Sequence, residues 1–121
     1  MAVDLQCQGP DGIYVGVAHG LLSLQEIKDA AARMFGRVEG ARIRVLWDLR
    51  EAEFDLDPTE VRELAVFVKG RSPDRDLRTA FVVGGDLEFG LARMFGVLRE
   101  TETSETAVFR DRERAVSWLQ G

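Results

Sequence analysis

From residue 13 onward, short β-rich runs alternate with amphipathic helical segments, and this alternation constrains the fold more than any other feature of the chain. Strands separated by helices pair in parallel, because a parallel neighbour needs a crossover long enough to hold a helix. Ile43-Arg44-Val45-Leu46-Trp47 and Ala80-Phe81-Val82-Val83 are the clearest strands. The second is almost continuously apolar, as a strand covered on both faces should be. Thr106-Ala107-Val108-Phe109 is a shorter one. Upstream, residues 2–8 and 13–18 flank Gly9-Pro10-Asp11-Gly12, a turn sequence that predicts a hairpin. The expected order is β-β-α-β-α-β-α-β-α. It implies an α/β fold with a mostly parallel five-stranded sheet, four helices, right-handed crossovers and an antiparallel first strand at an edge.

The helix starts carry their own chemistry. Ser23-Leu24-Gln25-Glu26 is a capping box, in which each end's side chain satisfies the other's orphan amide. After it Ile27, Ala31, Met34, Phe35 and Val38 share one face. Asp57-Pro58-Thr59-Glu60 opens the second helix in a similar way, with proline where its missing donor does no harm. Val61, Leu64, Ala65 and Val68 form its stripe, and Gly70 is expected to end it. The third helix begins at Asp86 and is expected to bury Leu87, Leu91, Met94, Phe95 and Leu98. The fourth begins near Asp111 and turns Ala115, Val116 and Leu119 inward, with Trp118 at the margin. Ala32-Arg33-Met34-Phe35-Gly36 recurs as Ala92-Arg93-Met94-Phe95-Gly96, but the flanks do not match and the spacing is too long for a solenoid unit. The repeat is read as coincidence between two sheet-packed helices.

No linker divides the 121 residues, and residues 71–77 read only as a polar loop, so residues 1–121 are expected to form a single domain. With 45% hydrophobic and 31% charged residues the chain can build a core. Its net charge of −5 repels phosphate backbones, which argues against nucleic acid as a partner. Asp4 and the lack of a basic stretch before an apolar run argue against a secretory signal. The longest uncharged stretch, residues 12–25, is too short for an integral membrane segment. One cysteine excludes an internal disulfide, and one histidine beside it cannot complete a Cys/His zinc cluster. Cys7 is read as a small strand residue. The expected compartment is the cytoplasm, with no cofactor and no metal.

In open α/β sheets ligands sit beyond the carboxyl ends of the strands. That rule selects His19, then Asp48 and Arg50, then Gly84-Gly85-Asp86, then Arg110-Asp111 as a strand-end rim. His19 and Asp48 together could serve acid–base chemistry. No activated nucleophile stands in a recognisable context, so no catalytic residue is assigned. Gly84-Gly85 lacks the third glycine and the lysine of a phosphate loop, and Asp86 and Glu88 occupy the place of the anion. The acidic run Glu51-Ala52-Glu53-Phe54-Asp55-Leu56-Asp57 lacks the spacing of a calcium loop and reads as a solvated loop anchored by Phe54 and Leu56. On the third helix Phe89 points nearly opposite the Leu91/Phe95 face, followed at helical spacing by Arg93 and Val97, with Gly90 and Gly96 alongside. Phe89, Arg93 and Val97 are the candidate partner or ligand surface.

Leu46-Trp47-Asp48-Leu49-Arg50, Phe89-Gly90-Leu91-Ala92-Arg93-Met94-Phe95, Val108-Phe109-Arg110-Asp111 and the closing Ala115-Val116-Ser117-Trp118-Leu119 resemble the SpoIIAA-like bacterial proteins. These are related in fold to STAS domains and, more distantly, to the Sec14 lipid-transfer core. The resemblance covers nearly the whole chain and implies a fold, not an activity. In the anti-sigma-factor-antagonist branch of STAS proteins, a serine or threonine opening the helix after the third strand is phosphorylated by a partner kinase. The matching stretch is Asp57-Pro58-Thr59-Glu60, which puts Thr59 at that place. Proline and glutamate replace the serine and glycine of the usual pattern, and Glu60 would repel a phosphate. The alternative is that Thr59 is an exposed first-turn residue.

The leading expectation is a non-enzymatic STAS-like regulatory or protein-interaction module, a homodimer or a binder of another protein. The alternative, suggested by the Sec14 kinship, is a small carrier or sensor of an apolar or lipid-like ligand, with a pocket near Trp47, Phe89 and Met94. That alternative requires an apolar cavity; an enzyme using His19 and Asp48 would require those side chains to meet.

Overall fold

Both capping boxes are formed. In the computed structural model, which describes residues 3–6 and 12–121, Ser23 Oγ accepts from Glu26 N and Glu26 Oε1 from Ser23 N. Asp57 and Glu60 reciprocate in the same way. The elements are β1 (Val3–Gln6), β2 (Ile13–Ser23), α1 (Leu24–Phe35), β3 (Arg42–Asp55), α2 (Pro58–Arg71), β4 (Asp76–Val83), α3 (Asp86–Arg99), β5 (Ser104–Phe109) and α4 (Arg112–Gln120). This is the order the alternation predicts. Cys7 and most of the Gly9-Pro10-Asp11-Gly12 turn lie outside the described residues.

The strands stand side by side in chain order, β1 antiparallel to β2 and every later pair parallel. A sheet that grows in one direction through crossovers of one hand must carry its connecting helices on one face. Accordingly Ala30 and Met34 of α1 and Ala92 of α3 pack with Ile43, Val45 and Leu49 of β3. Helix α2 lies between α1 and α3 and packs mainly on them, not on the strands beneath. The opposite face is covered by α4, where Ala115 and Leu119 meet Leu46, Ala80 and Val82. The carbonyls at the C-terminal end of α4 find partners in the sheet: Arg44 Nε donates to Leu119 O at 3.1 Å and Arg78 Nη1 to Trp118 O at 3.1 Å.

Several boundaries differ from the sequence reading. Val38 lies beyond the end of α1, and α2 passes through Gly70 to a C-cap at Ser72. Strands β2 and β3 are much longer than read. The run Glu51-Ala52-Glu53-Phe54-Asp55 is not a loop; it pairs with residues 19–23 as a two-stranded extension beyond Val83, the end of β4. Between Val17↔Asp48 and His19↔Glu51, β2 advances by two residues and β3 by three, so Leu49 and Arg50 form a bulge. The extra residue reverses the alternation, and Ala52 and Phe54 continue the inward face that Trp47 and Leu49 began.

Helix α3 is rotated relative to expectation. Its buried residues are Glu88, Ala92, Gly96 and Arg99, while Leu87 and Leu98 are exposed. Gly96 is pressed so close to Thr106 of β5 that a Cβ would overlap the Thr106 hydroxyl. Only a residue without a side chain permits that approach, while Leu91 and Phe95 of the expected stripe remain partly buried, Phe95 edge-on to Phe81 of β4.

Candidate functional site

Among the described residues, two regions could hold a ligand. The first is an apolar cavity of about 100 Å³ between the α1–α2–α3 layer and the sheet. It exists because α2 spans its neighbouring helices without closing on the strands: Val61, Leu64 and Val68 form the roof, with Val45, Trp47 and Phe81 below. Phe54 and Leu56 also line it, so these two are anchors as the sequence suggests, although on a strand and its exit. Trp47 belongs to the lining as expected; Phe89 and Met94 do not. Thr79 and Arg99 are the two lining residues outside the hydrophobic class.

Arg99 is the anomaly of this site. It ends α3, is 2% exposed, and has no carboxylate partner among the described residues. Its Nη2 donates to Ser72 Oγ at 3.0 Å, tying the end of α3 to the cap of α2. Its guanidinium stands 6.0 Å from the Phe95 ring centroid, and its Nε is buried without an acceptor. Burial pushes its pKa down to about 10, so the group remains charged at neutral pH. Sequence reasoning passed over Arg99. It stands one residue past the last apolar position of the predicted stripe, where a cation near a helix C-terminus is ordinary.

The second region is the rim at the ends of β4 and β5. His19, Asp48 and Arg50 do not lie beyond strand ends; all three are inside β2 and β3, because those strands continue past their neighbours. The bulge nevertheless places Asp48 and Arg50 level with the true ends of β4 and β5. Asp48 accepts from Arg50 Nε at 2.9 Å, Arg50 Nη2 at 2.7 Å and Arg112 Nη1 at 3.1 Å. The Arg50 hydrogen bond, reinforced by the charge of Arg112, outweighs desolvation and holds the carboxyl below the usual range. Arg110 donates to Asp86 Oδ1 at 2.6 Å and lies 4.8 Å from the Phe89 ring centroid. Arg50, Arg110 and Arg112 border an open groove along α4, and each is ion-paired there. His19 is exposed on the β2–β3 extension, and no hydrogen bond joins it to Asp48.

The remaining candidates fall elsewhere. Phe89 is half-buried against the core beneath Arg110, not outward-facing, whereas Arg93 is exposed and Val97 is 74% exposed. Gly96, read as an outer residue, is buried. With Leu87 at 64% exposure and Leu98 also exposed, α3 shows solvent an apolar surface richer than the one read from sequence. Thr59 is an exposed first-turn residue of α2, beside the Asp57–Glu60 capping box.

No protein-family model matches the sequence, and no curated protein matches it. Among solved structures the chain is similar to an uncharacterised protein of the DUF3478 family with a SpoIIAA-like fold from Shewanella loihica PV-4. The TM-score is 0.62 at 18% identity, covering 98% of this chain and 92% of that one. The fold is SpoIIAA-like, in agreement with the resemblance carried by the sequence motifs. Among the described residues no helix is long and apolar enough to cross a membrane.

Proposed function

We propose that this chain is a non-enzymatic, cytoplasmic STAS-like binding module that takes up a small apolar molecule between α2 and the sheet, as a sensor or carrier. The apolar cavity beneath α2 carries this reading. Left empty, a cavity of this size would cost about 2 kcal/mol in lost packing, a large expense for a 121-residue chain. Apolar cavities of comparable size stay dry and admit apolar guests. The test is an NMR titration with 1-butanol. Saturable shifts at residues lining the cavity are expected, and they should vanish in Ala92→Leu, whose larger side chain fills the space. A wild-type protein with no saturable shift would remove the proposal.

A second reading, self-association or binding of another protein, is favoured by the outer side of α3. Leu87, Val97 and Leu98 are exposed around Gly90, which has nothing near its missing side chain. Apolar surface of this kind marks contact sites more often than scattered single residues do.

A further inference from the structure

The lining of the cavity includes an arginine with no carboxylate partner among the described residues. Arg99 shares the mostly apolar lining with Thr79, is almost completely buried, and its buried Nε–H has no acceptor among the described residues. A buried guanidinium of this kind is costly, and proteins normally pair it with a carboxylate or a set of carbonyl oxygens. Here one serine hydroxyl is its hydrogen-bond acceptor among the described residues. A purely structural arginine at the end of α3 would gain from turning its head toward water, as long cationic side chains do. Arg99 instead stays inside the protein, its Nη2 held at the α2 cap and its side chain part of the lining that includes Val61, Leu64 and Val68.

We propose that the ligand is a small apolar monocarboxylate whose carboxylate accepts from Arg99 while its hydrocarbon part fills the cavity. This rests on the cavity being a ligand site. A volume of about 100 Å³ holds roughly four to six non-hydrogen atoms, the size of butyrate or isobutyrate. The Arg99 fork suits a carboxylate because planar guanidinium presents its N–H groups in matching geometry. Thr79, the other polar lining residue, supplies a hydroxyl on the same wall as Phe81.

The experiment compares butyrate with 1-butanol by NMR on the wild-type protein and on Arg99→Leu, following the Arg99 side-chain Nε–H resonance as well as the backbone. Butyrate should bind at least about tenfold more tightly than butanol, a difference of one charge-assisted hydrogen bond. It should shift the Nε–H signal downfield, which butanol should not. Arg99→Leu should lose the preference while retaining butanol binding, with stability unchanged or raised because an unpaired buried charge is removed. Equal affinities, a preference that survives in Arg99→Leu, or an unmoved Nε–H signal would overturn the carboxylate assignment and leave the cavity reading standing. Failure of both probes to bind would overturn the two together. The Nε–H measurement decides the matter in the wild type even if the leucine variant does not fold.

Discussion

Trp47 of β3 occupies the space that a side chain on Gly16, its partner across the β2–β3 register, would need. The ring atoms Cζ3 and Cε3 stand where a Cβ would overlap them, so the indole forms part of the cavity floor only because residue 16 is glycine. Gly16→Ala should displace the indole and cost about 1–3 kcal/mol, as overpacking of a close-packed interior does. Urea denaturation followed by tryptophan fluorescence measures this. Unchanged stability would mean that the indole can shift at no cost and that the cavity wall is not set by this contact.

Asp48 gives the rim a defined response to acid. Arg50 and Arg112 hold its carboxyl below the usual range in the folded protein. A carboxylate with a depressed folded pKa contributes stability that is fully present above its unfolded value of about 4 and is lost as pH falls through the folded pKa. Unfolding free energy should therefore fall on acidification below about pH 4, and should fall less steeply in Asp48→Asn. At neutral pH the asparagine variant should be less stable by about 1–3 kcal/mol, having exchanged charge-assisted hydrogen bonds for weaker ones. Parallel acid profiles for the two proteins would assign the acid sensitivity to other groups.

The outer side of α3 makes self-association testable without disturbing the core. Phe89→Asp is a poor probe, because Phe89 is half-buried under Arg110 and its loss would also perturb packing. Val97→Glu combined with Leu87→Glu changes two exposed residues. If this surface joins two copies, the double variant should sediment as a monomer at concentrations where the wild type is dimeric, with an unchanged melting temperature. An unaltered sedimentation profile would dispose of the α3 interface.

Much of the fold was legible because its signals are local. Each capping box is completed within four residues, and each β-rich run falls inside its strand. The β3 extension was also legible in principle. Glu51-Ala52-Glu53-Phe54-Asp55 alternates charged and apolar residues with the period of a strand, but its acidity suggested solvent. The bulge at Leu49 and Arg50 hid the continuity further, since it breaks the alternation where β4 stops. The true location of the rim was lost with it.

The two copies of Ala-Arg-Met-Phe-Gly show where sequence stops. In α1 the pentapeptide buries Met34 and leaves Ala32 and Gly36 exposed; in α3 it buries Ala92 and Gly96 and leaves Met94 only half-covered. Identical local chemistry thus presents opposite sides to the core. The sequence by itself determined the order and type of the elements, because hydrogen-bond caps and residue periodicity act over a few positions. Which side of α3 is buried was decided only by the tertiary structure. Its close approach to β5 admits small residues such as Gly96 and leaves Leu87 and Leu98 exposed, while Leu91 and Phe95 stay at the cavity. The same packing buries Arg99 and leaves α2 above an apolar cavity, so the candidate site arises from distances between layers that no single stretch of chain encodes.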